Sequence, residues 1–148
     1  MKDIRIQWID TKGSVADGPG MRAVVFFQGC DRKVKCPGCH NRMAQDFAGG
    51  KVLSVKDVVK ILKASPFRRV TLSGGEPLAQ REGLEDLVRA LKAERFEIAL
   101  YTWREEKDVP SSVLRHIDYL KTGEFVLGRR SSTIPYVGSS NQVFKKVA

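Results

Sequence analysis

An α/β fold on a mostly parallel sheet, open and closing only part of a (βα) barrel, is predicted by three features of the chain. Apolar stretches of strand length alternate with stretches whose apolar residues recur at helical spacing, the order expected of a parallel sheet with covering helices. Two motifs, one rich in cysteine and one in glycine, follow directly on predicted strands, where ligands gather in such sheets. The 148 residues, 42% hydrophobic and 29% charged, suit one domain with a real core. They leave room for four or five parallel strands, too few to close an eight-stranded barrel. A single domain over residues 1–148 is the expectation.

Ile4 to Ile9 alternates apolar and polar residues like a half-buried strand, and Ala23 to Gln28 is a second, more buried one. Asp17-Gly18-Pro19-Gly20 marks a turn between them. Gly29 to Gly50 holds all three cysteines, Pro37 and several glycines without a sustained period, which predicts a long loop; a loop of that length needs a ligand or a function to order it. Ser54 with Asp57 three residues on is a helix-start signal, and Val55, Val58, Val59 and Leu62 give a helix to about Ala64. Val70-Thr71-Leu72 is a strand running into Ser73-Gly74-Gly75-Glu76-Pro77. Leu84, Leu87, Val88 and Leu91 mark a second amphipathic helix. A strand over Phe96–Thr102, a short helix over Ser111–His116 and a strand over Ile117–Lys121 complete the alternation. Gly138 to Phe144 reads as a polar turn and a last strand.

No apolar run approaches the length that crosses a bilayer, and the mixed charges of Met1 to Arg5 do not resemble a signal peptide, so a cytoplasmic protein without a membrane partner is expected. The net charge of +9 is dispersed in small groups such as Arg68-Arg69, Arg129-Arg130 and Lys145-Lys146. That dispersal argues against nucleic acid and leaves an acidic protein or a nucleotide-like cofactor as the partner such a field attracts.

Three cysteines within ten residues, Cys30-x5-Cys36-Pro37-Gly38-Cys39, do not read as a disulfide framework, which would be even in number and spread out. Clustered thiolates are metal ligands or redox groups. Structural zinc wants four closed ligands; His40 directly follows Cys39, a poor placement for the fourth, and the other histidine is His116. An iron–sulfur cube on three thiolates leaves one iron open for chemistry. Spacing alone leaves both metals, and a thiol-based redox site, in play. Gly74-Gly75-Glu76, placed after a strand, adds bare backbone that a small polar ligand can approach. By itself the same segment reads as a turn and helix start with Pro77 at the first helical position. Together the two motifs describe a site for a cluster and an amino-acid-like ligand.

These residues resemble the radical S-adenosylmethionine superfamily, and within it the activating enzymes of anaerobic (class III) ribonucleotide reductase. The resemblance is carried by Asp17-Gly18-Pro19-Gly20-Met21-Arg22, Phe27-x-Gly29-Cys30, Cys36-Pro37-Gly38-Cys39-His40-Asn41, Leu72 to Leu78, Tyr101-Thr102 and Gly138-Ser139-Ser140-Asn141-Gln142. It implies one 4Fe–4S cluster per chain on Cys30, Cys36 and Cys39, with S-adenosyl-L-methionine chelating the fourth iron. It also implies that Gly74, Gly75 and Glu76 hold the methionine amino group and that backbone at Gly38, Cys39 and His40 lines the adenine. A flavodoxin or ferredoxin-type donor would reduce the cluster, and the radical made from the cofactor would take a hydrogen atom from a glycine of the reductase large subunit. Such chemistry needs no general acid or base, and no catalytic residue of that kind is expected.

This chain departs from the resemblance at three places. Five residues separate the first two cysteines where three are usual, Trp103 stands where glycine often follows Tyr-Thr, and Thr122-Gly123 replaces Asp-Gly. Activation of another glycyl radical enzyme, or a small radical enzyme acting on a metabolite, is the nearest alternative. A zinc-bound interaction module is the alternative without catalysis. Trp8 and Trp103 read as packing and rim residues, Asp118 as a carboxylate at a strand start, either near the site or solvated or capping, and Asn141 with Gln142 as either a stabilised turn or contacts to the cofactor or the partner.

Overall fold

A computed structural model describes residues 2–31 and 49–147 of the chain. Among them seven strands form one sheet: β1 (Asp3–Ser14), β2 (Arg22–Phe27), β3 (Lys51–Ser54), β4 (Arg69–Gly74), β5 (Glu97–Tyr101), β6 (Tyr119–Thr122) and β7 (Val143–Lys146). Their spatial order is β3-β1-β2-β4-β5-β6-β7. β2, β4, β5 and β6 run parallel, while β1 and β3 at one side and β7 at the other pair antiparallel. The helices are α1 (Val55–Ala64), α2 (Arg81–Ala93) and the single turn α3 (Ser111–Leu114). This is the predicted open sheet, with a parallel centre and antiparallel edges. No described helix is long and apolar enough to cross a membrane.

α1 begins where predicted, because the Ser54 hydroxyl accepts the Asp57 N–H at 3.0 Å and satisfies a donor that the helix itself leaves unpaired. Its Val55, Val58 and Leu62 and the Leu84, Leu87, Val88 and Leu91 of α2 form one buried stripe per helix. Those stripes pack on one face of the sheet, against Ile4, Ile6, Val25, Phe27, Leu72, Ile98, Leu100 and Leu120. Successive strand residues point to opposite faces, so their neighbours Phe26, Ser73, Tyr101 and Lys121 are turned to the other, concave face. The sheet is thus buried on the helix side and lines a cavity on the inner side.

The sequence reading omits β3, a four-residue edge strand held by pairing with Asp3–Ile6 rather than by its own pattern. It also places the last parallel strand two residues early. Asp118 is not part of it but caps its start, accepting Ile98 N–H at 2.9 Å and Lys92 Nζ at 2.8 Å, at the end of the sheet away from the cysteine loop. Asn141 and Gln142 stabilise the last turn: Gln142 Oε1 accepts Gly138 and Ser139 N–H, its Nε2 donates to the Gly123 carbonyl, and Asn141 Nδ2 donates to the Glu124 carbonyl.

The Asp17–Arg22 motif closes the opposite end of the inner face. Arg22 is fully buried at the start of β2, where it donates to the Pro19 carbonyl and pairs with Glu97 Oε1 at 2.6 Å. Thr71 Oγ1 donates to the Asp17 carbonyl. An arginine with several partners pins the turn onto two parallel strands, and removal of the Glu97 carboxylate would leave the fully buried Arg22 charge without its acidic partner.

Candidate iron–sulfur and cofactor site

The carboxyl ends of the parallel strands meet at one cavity of about 770 Å³. Cys30 stands beyond β2, Gly75 beyond β4, Thr102 and Trp103 beyond β5 and Gly123 beyond β6, and all of them line it. The sequence expectation that the cysteine loop and the glycine pair share one rim is met by Cys30 and the Gly74–Gly75 turn. Cys30 is 8% exposed. Gly38, Cys39 and His40, with Cys36, lie outside the described residues. Among the described residues no group of three His, Cys, Asp or Glu side chains is gathered to hold a metal ion.

The glycine turn is bare for a steric reason. Gly74 has φ +119°, and a Cβ there would sit 2.3 Å from both the N and O of Phe27. Only glycine lets β4 come this close to the end of β2. The turn is then stitched to the base of the cysteine loop, with Gly75 N–H donating to the Phe27 carbonyl at 3.0 Å and Glu76 N–H to the Gly29 carbonyl at 2.7 Å. These two N–H groups are therefore already paired within the chain. Among the described residues no hydrogen bond uses the Gly75 carbonyl, so the turn faces a ligand with an acceptor, the polarity that suits an ammonium group.

Glu76 sits beneath the turn. Its carboxylate is fully buried and accepts three hydrogen bonds, from Leu78 N–H at 2.8 Å, Thr102 Oγ1 at 2.7 Å and Trp103 N–H at 2.9 Å. Arg104 Nη1 lies 3.2 Å from Glu76 Oε2, close enough for ion pairing although not aligned as a hydrogen bond. Arg104 Nη2 in turn binds Asp31 Oδ2, next to Cys30, and Trp103 Nε1 donates to Asp31 Oδ1 at 3.3 Å. A chain of charges and amides therefore joins the β4 turn, the β5 loop and the first residue of the cysteine loop. Motif reading selected Glu76 but missed Arg104 and Asp31, more than seventy residues apart in sequence, whose pairing no local pattern announces.

Burial pushes the Glu76 carboxyl up from its ordinary value of 4.5, against the downward pull of Thr102, Trp103, Leu78 and Arg104. Its ionised form is the costly one in the folded protein, so its contribution to stability is intact below about pH 4.5 and declines as pH rises through the raised value. Arg104→Leu removes one of the groups that favour the charge. The variant's loss of stability should be small at pH 4 and about 2 to 3 kcal/mol at pH 8, read from urea unfolding of the cluster-free protein. Equal losses at both pH values would show that Arg104 acts through packing alone.

The residues present fit an iron–sulfur cluster with an amino-acid-like ligand. A buried thiol stands at the cavity wall, beside a glycine turn that admits no side chain and offers an acceptor. Trp8, 49% exposed and stacked on Phe26 at 5.1 Å, and Trp103 flank the same cavity.

Comparison with known proteins bears on the metal. The 4Fe-4S single cluster domain family matches residues 16–145. The chain is 38% identical over 120 residues to the pyruvate formate-lyase-activating enzyme of Clostridium pasteurianum, covering 77% of this chain and 49% of that one. The chain thus spans about half the length of that relative. It is 33% identical over 135 residues to the anaerobic ribonucleoside-triphosphate reductase-activating protein of Enterobacteria phage T4, covering 85% of this chain and 84% of the relative. QueE from Escherichia coli shares the fold, with a TM-score of 0.56 over 78% of this chain and 68% of that one at 17% identity. The choice between zinc and iron that cysteine spacing leaves open is settled for an iron–sulfur cluster and S-adenosylmethionine. The chain belongs to the 4Fe-4S single cluster domain family, within the radical S-adenosylmethionine activases that include the T4 reductase-activating protein.

Proposed function

We propose that the protein is the activase of anaerobic ribonucleoside-triphosphate reductase. The observation that carries this reading is the identity of 33% along 84% of the T4 activating protein, a relative matched over most of its length. The match to the pyruvate formate-lyase-activating enzyme supports a second glycyl radical enzyme as the alternative target, but covers only 49% of that relative.

In this reading Cys30, Cys36 and Cys39 hold the cluster, and backbone at Gly38, Cys39 and His40 borders the adenine. The turn at Gly74 and Gly75 meets the methionine amino group through backbone, and Glu76 holds that turn in place from below. When loaded, the cluster and S-adenosylmethionine supply one-electron cleavage of the sulfonium and removal of one hydrogen atom from a glycine Cα of the reductase large subunit. The chain's own task is to orient both reactants and keep water from the cavity, where fixed geometry lowers the barrier. Trp8, Phe26 and Trp103 line that cavity with apolar surface. The electron comes from a flavodoxin or ferredoxin-type carrier, for which the dispersed positive charge offers a complementary field. The site is contained within residues 1–148 as a single domain.

Anaerobically reconstituted protein, reduced and mixed with S-adenosylmethionine and the reductase large subunit, should yield an electron paramagnetic resonance doublet from a glycyl radical. Deoxyadenosine without a doublet would direct attention to another substrate. Absence of both would refute radical chemistry at this site.

A further inference from the structure

The inner face of β5 carries a hydroxyl that the reading above leaves unused. Tyr101 ends the strand with its side chain in the cavity, 7% exposed, and its Oη has no hydrogen-bond partner among the described residues. Buried hydroxyls are nearly always paired, so an orphan inside a cavity points to a partner that arrives from outside. The ring is not free to seek one. Lys121 Nζ lies 4.3 Å from its centroid, and Phe144 meets it edge-on at 6.2 Å. Burial and the negative charge of Asp17 push the phenol up from its ordinary value, which keeps its proton in place. A protonated, immobilised phenol serves an acceptor.

We propose that Tyr101 Oη donates a hydrogen bond to a backbone carbonyl of the polypeptide segment that brings its glycine into the cavity. The inference rests on the activase reading and names a substrate-positioning residue within it. A peptide carbonyl fits better than the cofactor because of depth. The hydroxyl lies in the fields of Asp17 and Arg22, which precede or begin β2, whereas Cys30 and Gly75 stand beyond the far ends of β2 and β4. The ring points toward Phe144, which stacks on Tyr119 at the start of β6 where Arg22 also lies, so the acceptor sits on the amino-terminal side of the rim assigned to cluster and methionine. The walls of the cavity also suit a chain in extended form. Trp8 and Phe26 line one part of the cavity, and Ile134, Pro135 and Tyr136 another. The latter belong to a segment closed at its base by the bridge between Arg130 and Ser139. An extended segment carries an unpaired carbonyl at every residue, and a single rigid donor can set its register. With register set, the glycine Cα is held against the reacting carbon; Tyr101 itself exchanges no atom with it.

Tyr101→Phe removes the hydroxyl and keeps the ring with its Lys121 and Phe144 contacts. In the glycyl radical assay with loaded protein and the reductase large subunit, KM for the reductase should rise about tenfold, the range one hydrogen bond supplies. KM for S-adenosylmethionine should stay within about twofold. The affinity of the loaded variant for the reductase subunit, measured by calorimetry, should fall by the same factor as KM rises. An unchanged KM for the reductase, with wild-type protein giving its doublet, would overturn this inference alone. A rise confined to the KM for S-adenosylmethionine would overturn it too, by assigning the hydroxyl to the cofactor. Wild-type protein that gives no doublet would refute the activase reading and this inference together.

Discussion

Cys36→Ala protein, reconstituted with iron and sulfide without oxygen, should retain less than about one iron per chain where the parent holds about four, and should form no deoxyadenosine above background. On the proposed ligation the effect is large, because a cube gripped at three corners has no spare thiolate. Loss of one leaves two ligands, and the open corner cannot substitute for a closed one. His116→Ala is the useful contrast. His116 lies between α3 and β6, does not line the cavity, and its imidazole is pushed down by desolvation and by the nearby charges of Arg115, Arg89 and Lys92, so its removal should leave iron content unchanged. Iron and sulfide analysis of the two variants beside the parent checks both expectations. A Cys36 variant with a full cluster would mean that the long spacing after Cys30 does not lead to a ligand.

Gly74→Ala should be the most damaging single methyl group in the described part of the chain. Its Cβ would overlap the backbone of Phe27, which cannot swing away as a side-chain tip could, and its φ of +119° is strained for any other residue. Together these cost about 3 kcal/mol or more. At an m-value of about 2 kcal/mol/M, that is a shift of roughly 1 to 2 M in the urea midpoint. Relief requires β4 to separate from β2 at the point where Gly75 and Glu76 bond to Phe27 and Gly29. Cofactor affinity should therefore fall along with stability, which equilibrium binding of S-adenosylmethionine to the loaded variant would measure. A midpoint within 0.3 M of the parent, on that approximate m-value, would show that the turn is not tightly nested.

Local chemistry was legible wherever a few adjacent residues decide the outcome. Ser54 and Asp57 start α1, the apolar periods of α1 and α2 choose their buried faces, and Gly74-Gly75 ends β4 as a sharp turn. The shared rim followed from the rule that parallel strands collect ligands at their carboxyl ends. What the sequence did not disclose depends on partners distant along the chain. β3 is a strand only because Asp3 to Ile6 lies beside it, and β1 continues past Ile9 to Ser14 through an irregular register against β2. The ion pair of Arg22 and Glu97 spans 75 positions, and the bond between Arg104 and Asp31 spans 73. Tyr101 was read as part of a motif, but its unpartnered hydroxyl becomes visible only once β5 is set between β4 and β6 and Phe144 returns against its ring. The polarity of the glycine turn was not legible for a related reason. Motif residues offer both N–H and C=O groups in principle, and the pairing of Gly75 and Glu76 with the base of the cysteine loop decides which remain.

Mössbauer spectroscopy of protein loaded with iron-57, recorded before and after S-adenosylmethionine is added, addresses the three-thiolate cluster most directly. One iron site in four should change its parameters on addition while the other three hold theirs, as expected when a single corner lacks a protein ligand. Four irons that ignore the cofactor, or a tightly held zinc in their place, would contradict the account.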